Sequence, residues 1–166
     1  MNMNESVPVP NGYLVIKSYN TSGRLIDQVE GYNIITNEGR EALAHLMGND
    51  SADDWFVDTI KLSDGGHNPI DVTEMLPVNV TDTDLFNAAI FTKSITTVSN
   101  ISFPSVRKVT FSSSMETTEG NAGGTQAYSE AGLFYRGGTI MFTHKTFGYV
   151  IKNNTTRLVI TWTFTF

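Results

Sequence analysis

Apolar and polar positions along this chain alternate mostly with a period of two. The clearest case is the C-terminal stretch "RLVITWTFTF", in which Leu158, Ile160, Trp162, Phe164 and Phe166 share one parity and Val159, Thr161, Thr163 and Thr165 the other. Such alternation describes a strand with one face buried. An edge so apolar would invite aggregation, so the pattern places this strand inside a sheet or against another subunit, its five bulky side chains turned into a dry interior. Upstream, "YLVIKSY", "NTSG" and "RLIDQVEGYNII" read as strand, turn and strand. A short strand is expected at 56–62 and another from about Ala89, with long irregular excursions across 49–100. "SVRKVTFSSSM" is a further strand. "QAYSEAGLFY", "TIMFTHKTFGYVI" and the final stretch, joined at Gly137-Gly138 and Asn153-Asn154, predict a three-stranded antiparallel meander whose turns use positive φ.

One segment has the helical period. In "TNEGREALAHLMGND", Thr36 or Asn37 is an N-cap, Glu38 sits in the first turn and Gly48-Asn49 supplies the stop. Leu43, Leu46 and Met47 form a stripe expected to pack on the sheet. The elements add up to a mainly β chain: an antiparallel β-sandwich or jelly roll of about seven or eight strands with one short α-helix at about 37–47. Residues 1–11, "MNMNESVPVPN", read as an extended or flexible arm, and 12–166 as a single domain.

Composition narrows what the chain can do. Its 166 residues suffice for one core, and a charged content of 17% leaves room for the Thr, Ser, Asn and Gly of sheets and turns. The formal net charge of -6 opposes direct binding to nucleic acid, whose affinity comes from Lys and Arg on phosphates. With no Cys, disulfides, thiol catalysis and Cys-based zinc sites are excluded. The N-terminus lacks the basic and apolar regions of a signal peptide, and no apolar run is long enough to span a bilayer, so synthesis in a cytoplasm and no membrane partner are expected.

Residues with chemistry are scattered. His45 falls at the margin of the helical stripe. His67 lies near Asp64 and Asp71, a combination that a metal could use, but a polar turn accounts better for the same residues. His144 and Lys145 alternate on a strand, one facing inward or to an interface and the other solvent. Asp53, Asp54, Asp58 and Asp64 lack EF-hand spacing, and Thr81-Asp82-Thr83-Asp84 is too short to form a cage, so the acidic stretch 53–71 reads as a solvated loop. "EGNAGGT" has no P-loop ending. Glu116 and Glu119 have the spacing of a carboxylate pair but lie in what reads as a mobile loop. Glu130, a charge inside a strand, is expected to pair with Arg136, Lys145 or Arg107. Trp55, Phe56, Tyr128 and Tyr135 are the aromatics a sugar platform would use, although Trp55 also reads as a loop anchor. No catalytic, cofactor or metal residues are assigned, and no enzyme activity is expected.

Taken in order, "GYNIITNEGREALAHLMGND", "TIKLSDGG", "VTDTDLFNAAI" and "YSEAGLFY…GGTIMFTHKTFGYVIKNNTTRLVITWTFTF" resemble small virion structural proteins of tailed bacteriophages. The resemblance covers roughly 31–166. It implies a non-enzymatic virion component: a capsid decoration or cement protein, or an accessory protein of the neck or tail. Its partners would be the major capsid protein or neck and tail proteins, with homo-oligomers and no cofactor. A receptor- or carbohydrate-binding module of a tail fibre is the alternative.

Overall fold

A computed structural model describes residues 10–48, 54–102, 107–121 and 123–166. The chain folds into two antiparallel five-stranded sheets packed face to face, with one helix, a β-sandwich. The elements are β1 (Asn11–Asn20), β2 (Leu25–Tyr32), β3 (Ile34–Ile35), α1 (Asn37–Met47), β4 (Val57–Ser63), β5 (Phe91–Ser94), β6 (Thr97–Ser102), β7 (Arg107–Met115), β8 (Gln126–Tyr135), β9 (Ile140–Lys152) and β10 (Thr156–Thr165). One sheet has the order β2-β1-β10-β7-β6 and the other β3-β9-β8-β4-β5. The arm and domain boundary shifts by one residue, because Asn11 already pairs with Thr165, and residues 1–9 lie outside the described residues.

The ten strands come from eight sequence segments, two of which bend at a corner. "RLIDQVEGYNII" divides at Asn33. Its amide bonds the Gly12 carbonyl, its side chain bonds Thr143 Oγ1, and Ile34 then pairs in the opposite sheet. The segment beginning near Ala89 divides at Ile95-Thr96, so β5 edges one sheet and β6 the other. Strands that change sheets at a bend make the corners of a sandwich. The irregular excursion is concentrated in 64–90, which holds only an isolated His67–Met75 bridge.

The final strand takes the place its pattern demanded. β10 is the centre of its sheet, paired with β1 on one side and β7 on the other, and Leu158, Ile160, Trp162 and Phe164 are buried. Phe142 of the facing sheet meets Phe164 edge-on at 5.5 Å. Phe166 departs from the expectation of five inward side chains: it lies past the end of the strand and is half exposed.

The expected three-stranded meander is corrected. β8 pairs with β9, but β10 does not pair with β9 and crosses to the other sheet. In the other sheet β10 is paired along its length on both sides, by β1 and by β7. The two turns differ accordingly. Arg136, Gly137 and Gly138 carry positive φ values of 53°, 65° and 81°, as a tight hairpin requires. Asn153 has no positive φ; its Oδ1 accepts from the Thr155 amide and from the Thr155 and Thr156 hydroxyls, so the side chain forms the turn.

α1 begins and ends as expected but buries a different face. Thr36 Oγ1 accepts from the Gly39 amide at 3.0 Å and donates to the Met141 carbonyl at 2.7 Å, tying the cap to β9. The buried residues are Gly39 and Ala42, while Leu46 is 51% and Met47 84% exposed. A Cβ at residue 39 would stand 2.1 Å from the Phe142 carbonyl oxygen, so the helix approaches too closely for large side chains on that face. The expected Leu43–Leu46–Met47 stripe is therefore turned outward, with only Leu43 partly buried. Thr36→Ala removes both cap bonds and is expected to cost about 1–2 kcal/mol in denaturant titration.

Candidate functional site

Two features stand out beyond the core: a buried polar cluster beneath the 64–90 segment, and an apolar cleft at the helix end of the sandwich.

The cluster centres on Glu130, which is fully buried on β8. Its carboxylate accepts from the amides of Gly65, Phe86 and Asn87 at 3.2, 2.9 and 3.0 Å, and His144 Nε2 lies 3.0 Å from Oε2. Burial works against the charged form, but the bonds from His144, the Asn87 and Phe86 amides and Ser63 outweigh it, holding its pKa below the usual glutamate value. His144 Nδ1 lies 2.8 Å from Asp82 Oδ2, which also accepts from the Asn79 amide. Glu130 and Asp82 both accept from backbone amides, and His144 sits between them with one ring nitrogen within hydrogen-bond distance of each. The Phe86 ring closes over the imidazole at 4.8 Å. A Cβ at residue 65 would fall 2.5 Å from Glu130 Oε1, so the segment reaches the carboxylate only as glycine. The expected partners Arg136, Lys145 and Arg107 are thus replaced by His144. The imidazole presents one ring nitrogen to each carboxylate, Nε2 to Glu130 and Nδ1 to Asp82. With both His144 nitrogens and the buried Glu130 carboxylate engaged, the cluster clamps 64–90 to the β8–β9 hairpin.

The other candidates stand apart. His67 stacks on Tyr149 at 4.1 Å, and its Nδ1 has no partner among the described residues. Asp64 takes a bond from Asn87 Nδ2, while Asp71 closes its own turn with Thr73, whose bonds lower the pKa of its carboxyl. Asp58 accepts from the Gly137 amide, and Asp54 is exposed; Asp53 lies outside the described residues. Among the described residues no group of three or more His, Asp or Glu side chains is arranged to hold a metal ion. Glu116 and Glu119 do not face each other as a catalytic pair. Glu119 holds Lys93 at 2.7 Å and accepts from the Glu116 amide, and the first of these bonds leads in lowering its pKa. Their loop is also not the mobile one expected. Tyr128 donates to the Gly120 carbonyl and buried Lys152 to the Thr117 carbonyl. Burial and nearby Asp64 push the Tyr128 hydroxyl up to about 12, so it stays a donor.

Three of the four platform aromatics are inside. Tyr128 and Tyr135 are buried, and Trp55 is the loop anchor, stacked with His45 at 3.9 Å and with the Arg136 guanidinium over its ring at 4.4 Å. Only Phe56 is exposed. A sugar needs an open ring face, and here the rings are occupied by side chains.

The cleft follows from the outward turn of α1. Leu43 and Leu46 of the helix, with Phe56, Val98, Phe111 and Phe166, surround an apolar cavity of about 340 Å³. A second cavity of about 460 Å³ shares Leu43, Leu46 and Phe166 and adds Pro10, Arg40 and Met47. Sequence reasoning missed this surface because it assigned Leu46, Met47 and Phe166 to the core; the signal was present in the Gly39–Ala42 spacing, which offers the sheet a small face.

No protein-family model matches the chain, and no curated protein or solved structure matches it either.

Proposed function

We propose that this protein is a non-enzymatic structural component that acts through protein–protein contacts, as a small virion protein of a tailed bacteriophage at the capsid surface, neck or tail. The observation carrying this reading is the apolar cleft, where Leu46, Met47, Phe56 and Phe166 are each half or more exposed around two hollows that share Leu46 and Phe166. Contiguous exposed apolar surface of this kind marks a place where another macromolecule sits. The ordered resemblance from "GYNIITNEGREALAHLMGND" to "RLVITWTFTF" supports the virion setting. The ionisable residues best placed for chemistry, Glu130 and His144, are committed to holding the fold.

The test is co-sedimentation of the purified protein with phage particles assembled without it, followed by tracing the chain in a density map of the decorated particle. Both residues of the double variant Leu46→Asp, Met47→Asp are exposed on α1, so its fold is expected to remain. Its binding is expected to weaken by tenfold or more, about 1.4 kcal/mol or greater, as for a central interface residue. Wild-type protein that ignores heads and tails alike overturns the reading.

A further inference from the structure

The four outer strands of the two sheets are unequally guarded. A free strand edge is normally blunted by shortness, charge, a bulge or a covering element. β3 has two residues. β5 has four and carries Lys93, which is engaged with Glu119. β9 beyond its short pairing with β3 carries Lys145 and an irregularity opposite Ser129. β2 is long, but it bulges at Ile26 and carries Asp27 and Glu30. Among the described residues β6 has none of these devices. Its six residues, "TVSNIS", hold no charge and no proline, and its register with β7 is unbroken. Thr97, Val98 and Ser99 are exposed.

The backbone groups left free can be named. The Phe166 amide donates to the Arg107 carbonyl, so along β7 residues 107, 109 and 111 bond to β10. Residues 108, 110 and 112 therefore face β6, where they oppose Ile101, Ser99 and Thr97. The N–H and C=O of Val98 and Asn100 point away from the sheet.

We infer that β6 is where two copies of this chain join, antiparallel and across a two-fold axis, into one continuous sheet. The occupant is a second copy for a physical reason. An antiparallel strand pair is self-complementary, since each outward residue offers one donor and one acceptor to its symmetry mate. Two copies that each carry a net charge of -6 repel, and β6 brings no charge onto the contact line. Across a two-fold at β2, by contrast, Asp27 and Glu30 would face their own copies. Val98 also lines the apolar cleft beside Phe56 and Phe166, so the pairing would cover part of that surface. The inference rests on the assembly reading only for taking a protein as the partner.

The test is the mass of the purified full chain by sedimentation equilibrium over a range of concentrations and salt. A dimer is expected, tightening as salt screens the repulsion. Val98→Pro deletes an outward N–H without touching a bond to β7, and proline is tolerated on such an edge. It is expected to give a folded monomer, with near-ultraviolet circular dichroism unchanged. Val98→Ala keeps the amide and is expected to remain dimeric. If Val98→Pro does not fold, Val98→Lys serves in its place, expected monomeric at low salt and recovering dimer at high salt. A wild-type monomer at every concentration, a dimer that survives in the folded Val98→Pro protein or at low salt in Val98→Lys, or a dimer lost equally in Val98→Ala overturns the edge pairing. A monomer that still co-sediments with particles would remove this inference and leave the assembly reading standing; a dimer that ignores particles would do the reverse.

Discussion

Glu130→Gln is expected to destabilise the protein by about 3–5 kcal/mol, the range for removing one partner of a buried ion pair. The carboxylate serves three backbone amides and His144 at once. An amide of the same shape turns an NH2 group toward donors and leaves His144 facing a neutral group. For a chain of this size each kcal/mol moves the thermal midpoint by roughly 2–4 °C, so a drop of about 6 °C or more should appear by calorimetry. The 64–90 segment should loosen first, seen as faster amide exchange at Phe86 and Asn87.

The same substitution should reshape the acid limb of the stability curve. The pKa of Glu130 is lowered in the folded state, so its contribution is fully present above the ordinary glutamate range and is lost as pH falls through the lowered folded value. The gap in unfolding free energy between wild type and Glu130→Gln should therefore narrow as pH drops below about 4. A gap that stays constant down to strong acid, or a loss under 1 kcal/mol at neutral pH, would show that the cluster does not act as described.

Trp162→Ala is expected to cost about 3–5 kcal/mol in denaturant titration, as for other large aromatics removed from cores. Trp162 is fully buried at the middle of β10, opposite Leu14 and Phe111 in its own sheet. Its indole nitrogen has no partner among the described residues, so the loss is one of packing and cavity formation. Trp162→Phe, which keeps a ring, should cost less than half as much. Thr161→Ala, on the opposite face and only partly buried, should stay within about 0.5 kcal/mol. An alanine variant as stable as wild type would mean that the C-terminal strand is not part of the core.

Much of the fold was legible because it is written in local periodicity. The alternation of Leu158, Ile160, Trp162 and Phe164 required a buried face, and the strand is indeed central. The helix at 37–47, the hairpin at Asn20–Gly23 and the sandwich class followed from capping, turn residues and period. Where the reading failed, the missing information was non-local. Sequence order makes β9 and β10 neighbours, yet β10 pairs instead with the distant β1 and β7 in the other sheet. The stripe on α1 was correctly apolar but wrongly placed, because the face a helix buries depends on how closely its neighbour lets it approach, which Gly39 and Phe142 decide together.

The sequence by itself determined which segments extend, which one coils, and which side chains must leave water. These are consequences of backbone propensity and of hydrophobic period, felt within a few residues. Only the tertiary structure decided that His144, Glu130 and Asp82 form one cluster, that Leu46, Met47 and Phe166 face outward around one cleft, and that β6 ends its sheet with bare amides. Those arrangements join residues up to 62 positions apart in the cluster and well over 100 apart around the cleft. Burial of a charge, closeness of a helix to a sheet and the order of strands are all set by packing among distant segments, which no local pattern records.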